Sequence, residues 1–342
     1  MQSPRSNSTL GLVDGRKPAF LITIDTEGDN IWARRLPITT RNAEYLPRFQ
    51  KLCEKYALKP TYLTNYEMVI SPFFREFAED ALRRGTAEVG MHLHAWHSPP
   101  EYPLTADDHR FHPYLTEYPE EVMRGKVAAI TDLLEETFRV KMLTHRGGRW
   151  SFNEIYARIL VARGYRVDCT VTPGVSWKGT PGRPDGAGGP DYTGFPASGY
   201  FLDLDDISRP GHSSLLEVPV TILRRGPTVG RLFQAVERVS WGRRVAARLV
   251  PDLNWLRPDG RNGGVLLKIA DRVLLERRPY AEFMLHSSEF MPGGSPRFPD
   301  ERSIEHLYED LEALFERVRD RFGGATMAEY YQDFVDEPKP KT

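Results

Sequence analysis

Residues 19–27 read Ala-Phe-Leu-Ile-Thr-Ile-Asp25-Thr-Glu27. The run from Ala19 to Ile24 is continuously apolar and rich in β-branched residues. That pattern marks a strand buried on both faces, as in a parallel sheet covered by helices. It stops on two carboxylates two positions apart, and an extended backbone points both to one face. In β/α barrels and open α/β sheets, ligands bind at this C-terminal edge of the strands. Such a strand needs parallel neighbours and covering helices from the rest of the chain.

The chain supplies them in order. Strands are expected at 60–64, 87–91, around 143–146, at 165–171, 215–223 and 281–286. Pro219 inside the sixth of these seven places that strand at an edge or a bulge. Helical spacing marks 42–56, 73–84, 120–138, 152–163, 264–276, 303–321 and 326–334. Ser151 is placed to cap the fourth helix, with Glu154 as its capping-box partner, and Gly164 to end it. A strand followed by a helix about seven times, with no repeat period and no linker, predicts an α/β fold. An irregular (β/α)7-type barrel comes first and an open doubly wound sheet second. One domain is expected over 18–335, with tails at 1–17 and 336–342. Two loops are too long to be simple connectors: 98–119, and 173–200 with eight glycines and five prolines.

Composition narrows the function. The chain has 342 residues, 46 basic and 47 acidic, for a net charge of −1. That balance points to no nucleic-acid partner. Two cysteines, Cys53 and Cys169, give no disulfide framework. The first seventeen residues lack the apolar core of a signal peptide, and no apolar run reaches the roughly 18–20 residues of a membrane span. A cytoplasmic protein is the expectation. One local excess stands out: residues 224–248 hold seven arginines against Glu237 alone. The predicted helix 227–250 is a solvated face or a peripheral contact with anionic lipid or an anionic glycolipid.

The chemistry concentrates at the strand ends. Three of nine histidines fall within Glu88-Val-Gly-Met-His92-Leu-His94-Ala-Trp96-His97. With Asp25, Glu27, Arg146, Asp168 and His286 they make up the candidate site. One carboxylate and two imidazoles form an open ligand set for Zn²⁺ or a similar divalent ion. A second carboxylate nearby suits a general base, a histidine opposite suits a general acid, and Arg146 suits the partner that keeps the base ionised. His92 and His94 share a face if the strand stays extended. If the chain turns after His94, His97 takes the second place.

These segments, spread over about residues 19–290, resemble the polysaccharide deacetylase (NodB-homology) family of carbohydrate esterases. Thr23-Ile-Asp-Thr-Glu-Gly28 is similar to the family's Thr-Phe-Asp-Asp-Gly with one residue inserted, which implies Asp25 as base and Glu27 as metal ligand. Arg146-Gly-Gly-Arg149-Trp150 resembles the Arg-containing motif and implies that Arg146 orients the base. Asp168-Cys-Thr170 matches the fourth region, and Leu285-His286 implies His286 as general acid. The family's second motif has histidines four apart, but Trp96 stands four after His92. The second imidazole is therefore either His94 or His97. The resemblance implies one divalent metal, Zn²⁺ foremost, and removal of acetyl groups from a saccharide or lipid-linked saccharide in surface-polysaccharide metabolism. Trp32, Trp96, Arg149, Trp150 and Asp168 are the candidate substrate contacts. The alternatives are a metal-free cyclic-amide hydrolase of the same fold, which a Trp at the second-His position resembles, and a non-catalytic carbohydrate-binding homologue.

Overall fold

The computed structural model describes residues 16–31, 37–224 and 253–336. Trp32, the Arg34-Arg35 pair and the predicted basic helix 227–250 lie outside the described residues. Among these, eleven strands follow one another: β1 (Ala19–Thr26), β2 (Pro60–Thr64), β3 (Glu88–Leu93), β4 (Thr144–Gly147), β5 (Val167–Asp168), β6 (Tyr200–Phe201), β7 (Leu216–Glu217), β8 (Ile222–Arg224), β9 (Leu253–Trp255), β10 (Tyr280–His286) and β11 (Gly323–Ala325).

Seven of them form a parallel sheet in the order β10-β1-β2-β3-β4-β5-β7. The sheet curls until its ends meet. Between β7 and β8 the Thr221 amide donates to the Glu282 carbonyl on β10 (3.3 Å), and the Glu282 amide returns a bond to Thr221 Oγ1 (2.8 Å). The chain is a β/α barrel, irregular because β6 adds an antiparallel edge to β7 and β11 pairs only with the start of β1. Pro219 explains the break between β7 and β8. It has no N–H to continue the ladder, while its carbonyl accepts from Tyr280 Oη (3.0 Å).

Helices at Leu46–Lys55, Pro72–Arg83, Glu120–Phe138, Glu154–Arg163, Gly263–Leu275, Glu301–Val318 and Met327–Asp336 alternate with the strands. The fourth starts later than its sequence suggests. Its cap is Asn153, whose side chain accepts from the Tyr156 amide (2.9 Å), whereas Ser151 Oγ accepts from the Thr116 amide (3.3 Å) across the molecule. Ser151 was a sound candidate by residue type, but a tertiary bond claims it. No helix among the described residues is long and apolar enough to cross a membrane.

β1 is the spine. Every residue from Phe20 to Thr26 is buried, and Phe20 packs its ring on Phe283, Phe315 and Phe322 at 6.4, 6.2 and 5.7 Å between centroids. This cluster joins β1, β10 and the helix Glu301–Val318 in one apolar layer. Phe20→Ala should cost about 3–5 kcal/mol of stability, read as a lower urea midpoint at unchanged slope. A loss under about 1 kcal/mol would show that the cluster is not central to the core.

Candidate active site

Strand register brings the polar residues together. Asp25 at the end of β1 stands beside His286 at the end of β10, and His92 on β3 stands beside Arg146 on β4. Glu27 lies one residue past β1, and its backbone is pinned there. Asn42 Nδ2 and Ser287 Oγ both donate to its carbonyl (2.7 and 2.9 Å), and its amide donates to Ser287 Oγ (3.1 Å).

Glu27, His92 and His94 are buried and aim one ligand atom each at a common point. The separations are 3.2 Å between the two Nε2 atoms, 2.9 Å from Glu27 Oε2 to His94 Nε2 and 3.7 Å from Glu27 Oε2 to His92 Nε2. A tetrahedral Zn²⁺ with ligands at about 2.0–2.2 Å holds them about 3.3–3.6 Å apart, so these residues fit a divalent ion. The tautomer of His92 fits as well. Its Nδ1 sits 2.9 Å from the Arg146 carbonyl; a carbonyl only accepts, so the proton is on Nδ1 and the Nε2 lone pair faces the cluster. Burial alone would raise the Glu27 carboxyl. The neighbouring His92 and His94 outweigh it and hold Glu27 well below the usual glutamate range.

Arg146 is fully enclosed. It donates to Asp25 Oδ1 (2.7 Å), Glu282 Oε1 (2.8 Å) and the Cys169 carbonyl (2.9 Å). Burial would raise the Asp25 carboxyl, but the Arg146 charge, then His92 and His286, bring it below the ordinary aspartate value. Burial prevails at Glu282, which stays raised despite Arg146 and a bond from Thr23 Oγ1.

His286 Nε2 stands 3.7 Å from Asp25 Oδ2, and its other face meets two residues that sequence reading missed. Glu289 Oε2 lies 3.2 Å from His286 Nδ1 and accepts the His286 amide (2.9 Å), while Arg257 Nη2 lies 2.9 Å from the same ring nitrogen and 3.0 Å from Glu289 Oε1. Burial would raise Glu289; the Arg257 charge and His286 bring it down to about 2.

The other candidates divide. His97 turns away from the cluster, its Nε2 2.7 Å from Glu67 Oε2, and Glu67 Oε1 in turn accepts the Gly28 amide (2.6 Å). Asp168 is corrected from substrate contact to internal scaffold. It is wholly buried, bonded to His145 Nδ1 (2.5 Å) and to the amide and hydroxyl of Thr170 (3.0 Å each). His145, another residue the sequence reading passed over, completes that network through Tyr156 Oη (2.7 Å). Trp96, Arg149 and Trp150 stay on the rim. Trp96 lies 4.4 Å from the His94 ring, and the Arg149 guanidinium lies 5.9 Å from Trp96. Trp150 clusters with Trp177 and Trp255 at 6.0–6.3 Å, all three partly exposed, and lies 5.3 Å from the Arg146 guanidinium. Arg149 and Trp150 have φ of 54° and 61°. Two successive left-handed side-chain-bearing residues are strained, and strain of this kind clusters at functional sites.

No family model matches the sequence, and no curated protein matches it. Solved structures do. A Mycobacterium smegmatis protein designated a polysaccharide deacetylase superposes with a TM-score of 0.53 at 16% identity, over 95% of this chain and 93% of its own. A Parabacteroides distasonis protein designated a glycoside hydrolase/deacetylase gives 0.58 at 10% identity, over 98% and 74%. The 4-alpha-glucanotransferase of Thermococcus litoralis gives 0.50 at 12% identity, over 95% and 41%. The chain has the NodB-homology barrel fold of the first two. The third shows that related barrels carry other carbohydrate chemistry, so function has to be argued from the site.

Removing Arg146 strands two buried carboxylates. Arg146→Met should cost about 3–5 kcal/mol in urea denaturation, and adding Glu282→Gln should return part of it. A double variant no more stable than Arg146→Met would show that Glu282 does not depend on the guanidinium.

Proposed function

We propose that the protein is a divalent-metal-dependent hydrolase that removes acetyl groups, N-acetyl foremost, from a saccharide or lipid-linked saccharide of surface-polysaccharide metabolism at the cytoplasmic face. One observation carries the reading. The Glu27–His92–His94 cluster adjoins a base–acid pair, Asp25 and His286, on neighbouring strand ends. Designation of two structures of this fold as deacetylases supports the substrate class.

Glu27, His92 and His94 would hold the ion, with His94 rather than His97 as the second imidazole. When bound, such an ion supplies a Lewis acid that polarises a carbonyl oxygen and acidifies water; Zn²⁺ suits the donor set. Asp25, kept ionised by Arg146, takes the proton of the attacking water. His286 gives a proton from Nε2 to the departing nitrogen, while Glu289 and Arg257 on its Nδ1 side orient the ring. The Trp150–Trp177–Trp255 cluster offers flat apolar faces for a sugar ring. The arginines of 224–248 would hold an anionic lipid carrier by charge.

Calorimetric titration of chelator-treated protein with Zn²⁺ should show tight binding. Glu27→Gln, His92→Gln and His94→Gln should each weaken it by about a hundredfold or more, beyond the 10–100-fold typical of supporting residues. His97→Ala should keep it within a few-fold of wild type. If His97→Ala abolishes binding and His94→Gln does not, the ligand assignment is wrong. Asp25→Asn should still bind metal and lower kcat on an N-acetylated oligosaccharide about 10²–10⁴-fold. Near-normal turnover in Asp25→Asn would remove the proposed mechanism.

The pH profile gives a separate test. Arg146 heads the influences that lower the Asp25 pKa against burial, so the base is ionised down to pH values below the usual aspartate range. Activity attributable to Asp25 is complete above its pKa and falls as pH drops through it. Arg146→Lys, which keeps a charge but loses the paired geometry, should move the acid limb of kcat/KM to higher pH. An unmoved limb would assign it to another group.

A further inference from the structure

A cavity of about 740 Å³ lies beside the candidate active site, between the two long loops. It falls within the roughly 300–1,000 Å³ of small-ligand sites. His109 and Arg110 reach it from the first loop, Lys178 and Arg183 from the second, and Arg149 from the strained turn after β4. No Asp or Glu is among its lining residues. In a chain with one net charge, four cationic heads around one concavity is a local departure from balance.

These side chains do not sit on loose loops. Tyr114 Oη donates to the Thr180 carbonyl (3.4 Å), and Glu117 Oε1 accepts the Arg183 amide (2.6 Å). A side chain at Gly182 would collide with Glu117, and one at Gly188, whose φ is +77°, would collide with the Lys178 carbonyl. The loops are therefore pressed on each other and on themselves, and the backbone that carries the cations is held in place. Lys178 is partly neutralised by Asp191 at 2.9 Å. The guanidinium groups of Arg110 and Arg183 have no ion-pair partner among the described residues; that of Arg110 lies 5.0 Å from the Phe111 ring. Cations gathered at one cavity repel each other unless an anion joins them, and a guanidinium matches phosphate or carboxylate with paired donors.

The cavity adjoins the site. Arg149 lies 5.9 Å from Trp96, which lies 4.4 Å from the His94 ring, so one side chain separates the metal-ligand cluster from the rim of the cavity. We infer that this cavity is an anion subsite that receives a phosphate or carboxylate carried by the saccharide whose acetyl group is hydrolysed at Asp25 and His286. The substrate is then an acidic acetylated saccharide, and the subsite sets which acetylated unit enters the cleft. The inference rests on the deacetylase reading for the identity of the ligand, but not for the binding itself.

Calorimetry separates the two and also the two anion sources. Wild-type protein, Arg110→Ala/Arg183→Ala and Asp25→Asn are titrated at low salt with inorganic phosphate and, separately, with glucuronate. The wild type should bind at least one of them. The stronger one names the source, a phosphoryl group or a uronic acid. The arginine pair variant should bind it about tenfold more weakly or worse, with an unchanged circular dichroism spectrum, and its KM for a neutral N-acetylated oligosaccharide should be unaltered. Asp25→Asn should bind the anion like wild type. Equal anion affinity in wild type and the arginine pair variant, or no binding of either anion, overturns the subsite even if the enzyme deacetylates. Arginine-dependent anion binding in a protein with no deacetylase activity upholds the subsite and removes the deacetylase reading instead.

Discussion

A guanidinium sealed from water organises the interior of this protein. Arg146 loses its hydration when the barrel closes, and such a loss is tolerable only when each of its nitrogens meets an acceptor. Asp25 on β1, Glu282 on β10 and the carbonyl of Cys169 after β5 meet that demand. These acceptors come from three strands, so satisfying one side chain fixes three strand ends relative to β4. The same contacts keep Asp25 charged where burial would otherwise favour its protonated form. Structural and chemical roles of Arg146 are therefore two aspects of one set of bonds.

The site is built on that frame by register more than by loops. His92 holds its tautomer through the carbonyl of Arg146, the residue beside it on β4. Glu27 holds its place through Ser287, the residue after His286. His92 and Glu27 thus take their places from residues on neighbouring segments, one through a backbone carbonyl and one through a side-chain hydroxyl. The long loops contribute what the strands do not: aromatic faces, cationic heads and a cavity beside the catalytic groups.

Much of this was legible in the residues. The unbroken apolar run of β1 and its terminal acids announced a parallel barrel strand, whereas Pro219, read as an edge or bulge within one strand 215–223, stands between two separate strands, β7 and β8. Asp25, Glu27, His92 and His286 stood out because acids and histidines at strand ends have few other reasons to be there. The choice between His94 and His97 was not legible. It turns on where the chain leaves the strand and on Glu67, a helical acid on a different element whose role is purely spatial. Glu282 gave a signal that went unread, a lone acid inside an apolar strand, which requires a buried cation. Glu289 and Arg257 gave less, since neither stands in a pattern that marks it. Asp168 misled because its strand-end position was right, but its side chain points into the packed interior.

The pairing of Asp25 with His286 has a consequence in time. The two residues are register partners on adjacent strands, yet about 260 positions separate them along the chain. During synthesis the other six strands of the parallel sheet and all three members of the Glu27–His92–His94 cluster emerge before β10 does. Contacts of such sequence separation are among the slowest a folding chain makes. A growing or half-folded chain that has made Glu27, His92 and His94 still lacks His286, the second carboxylate of Arg146 and the Ser287 hydroxyl that pins Glu27. The candidate site is therefore complete only once β10 has docked beside β1.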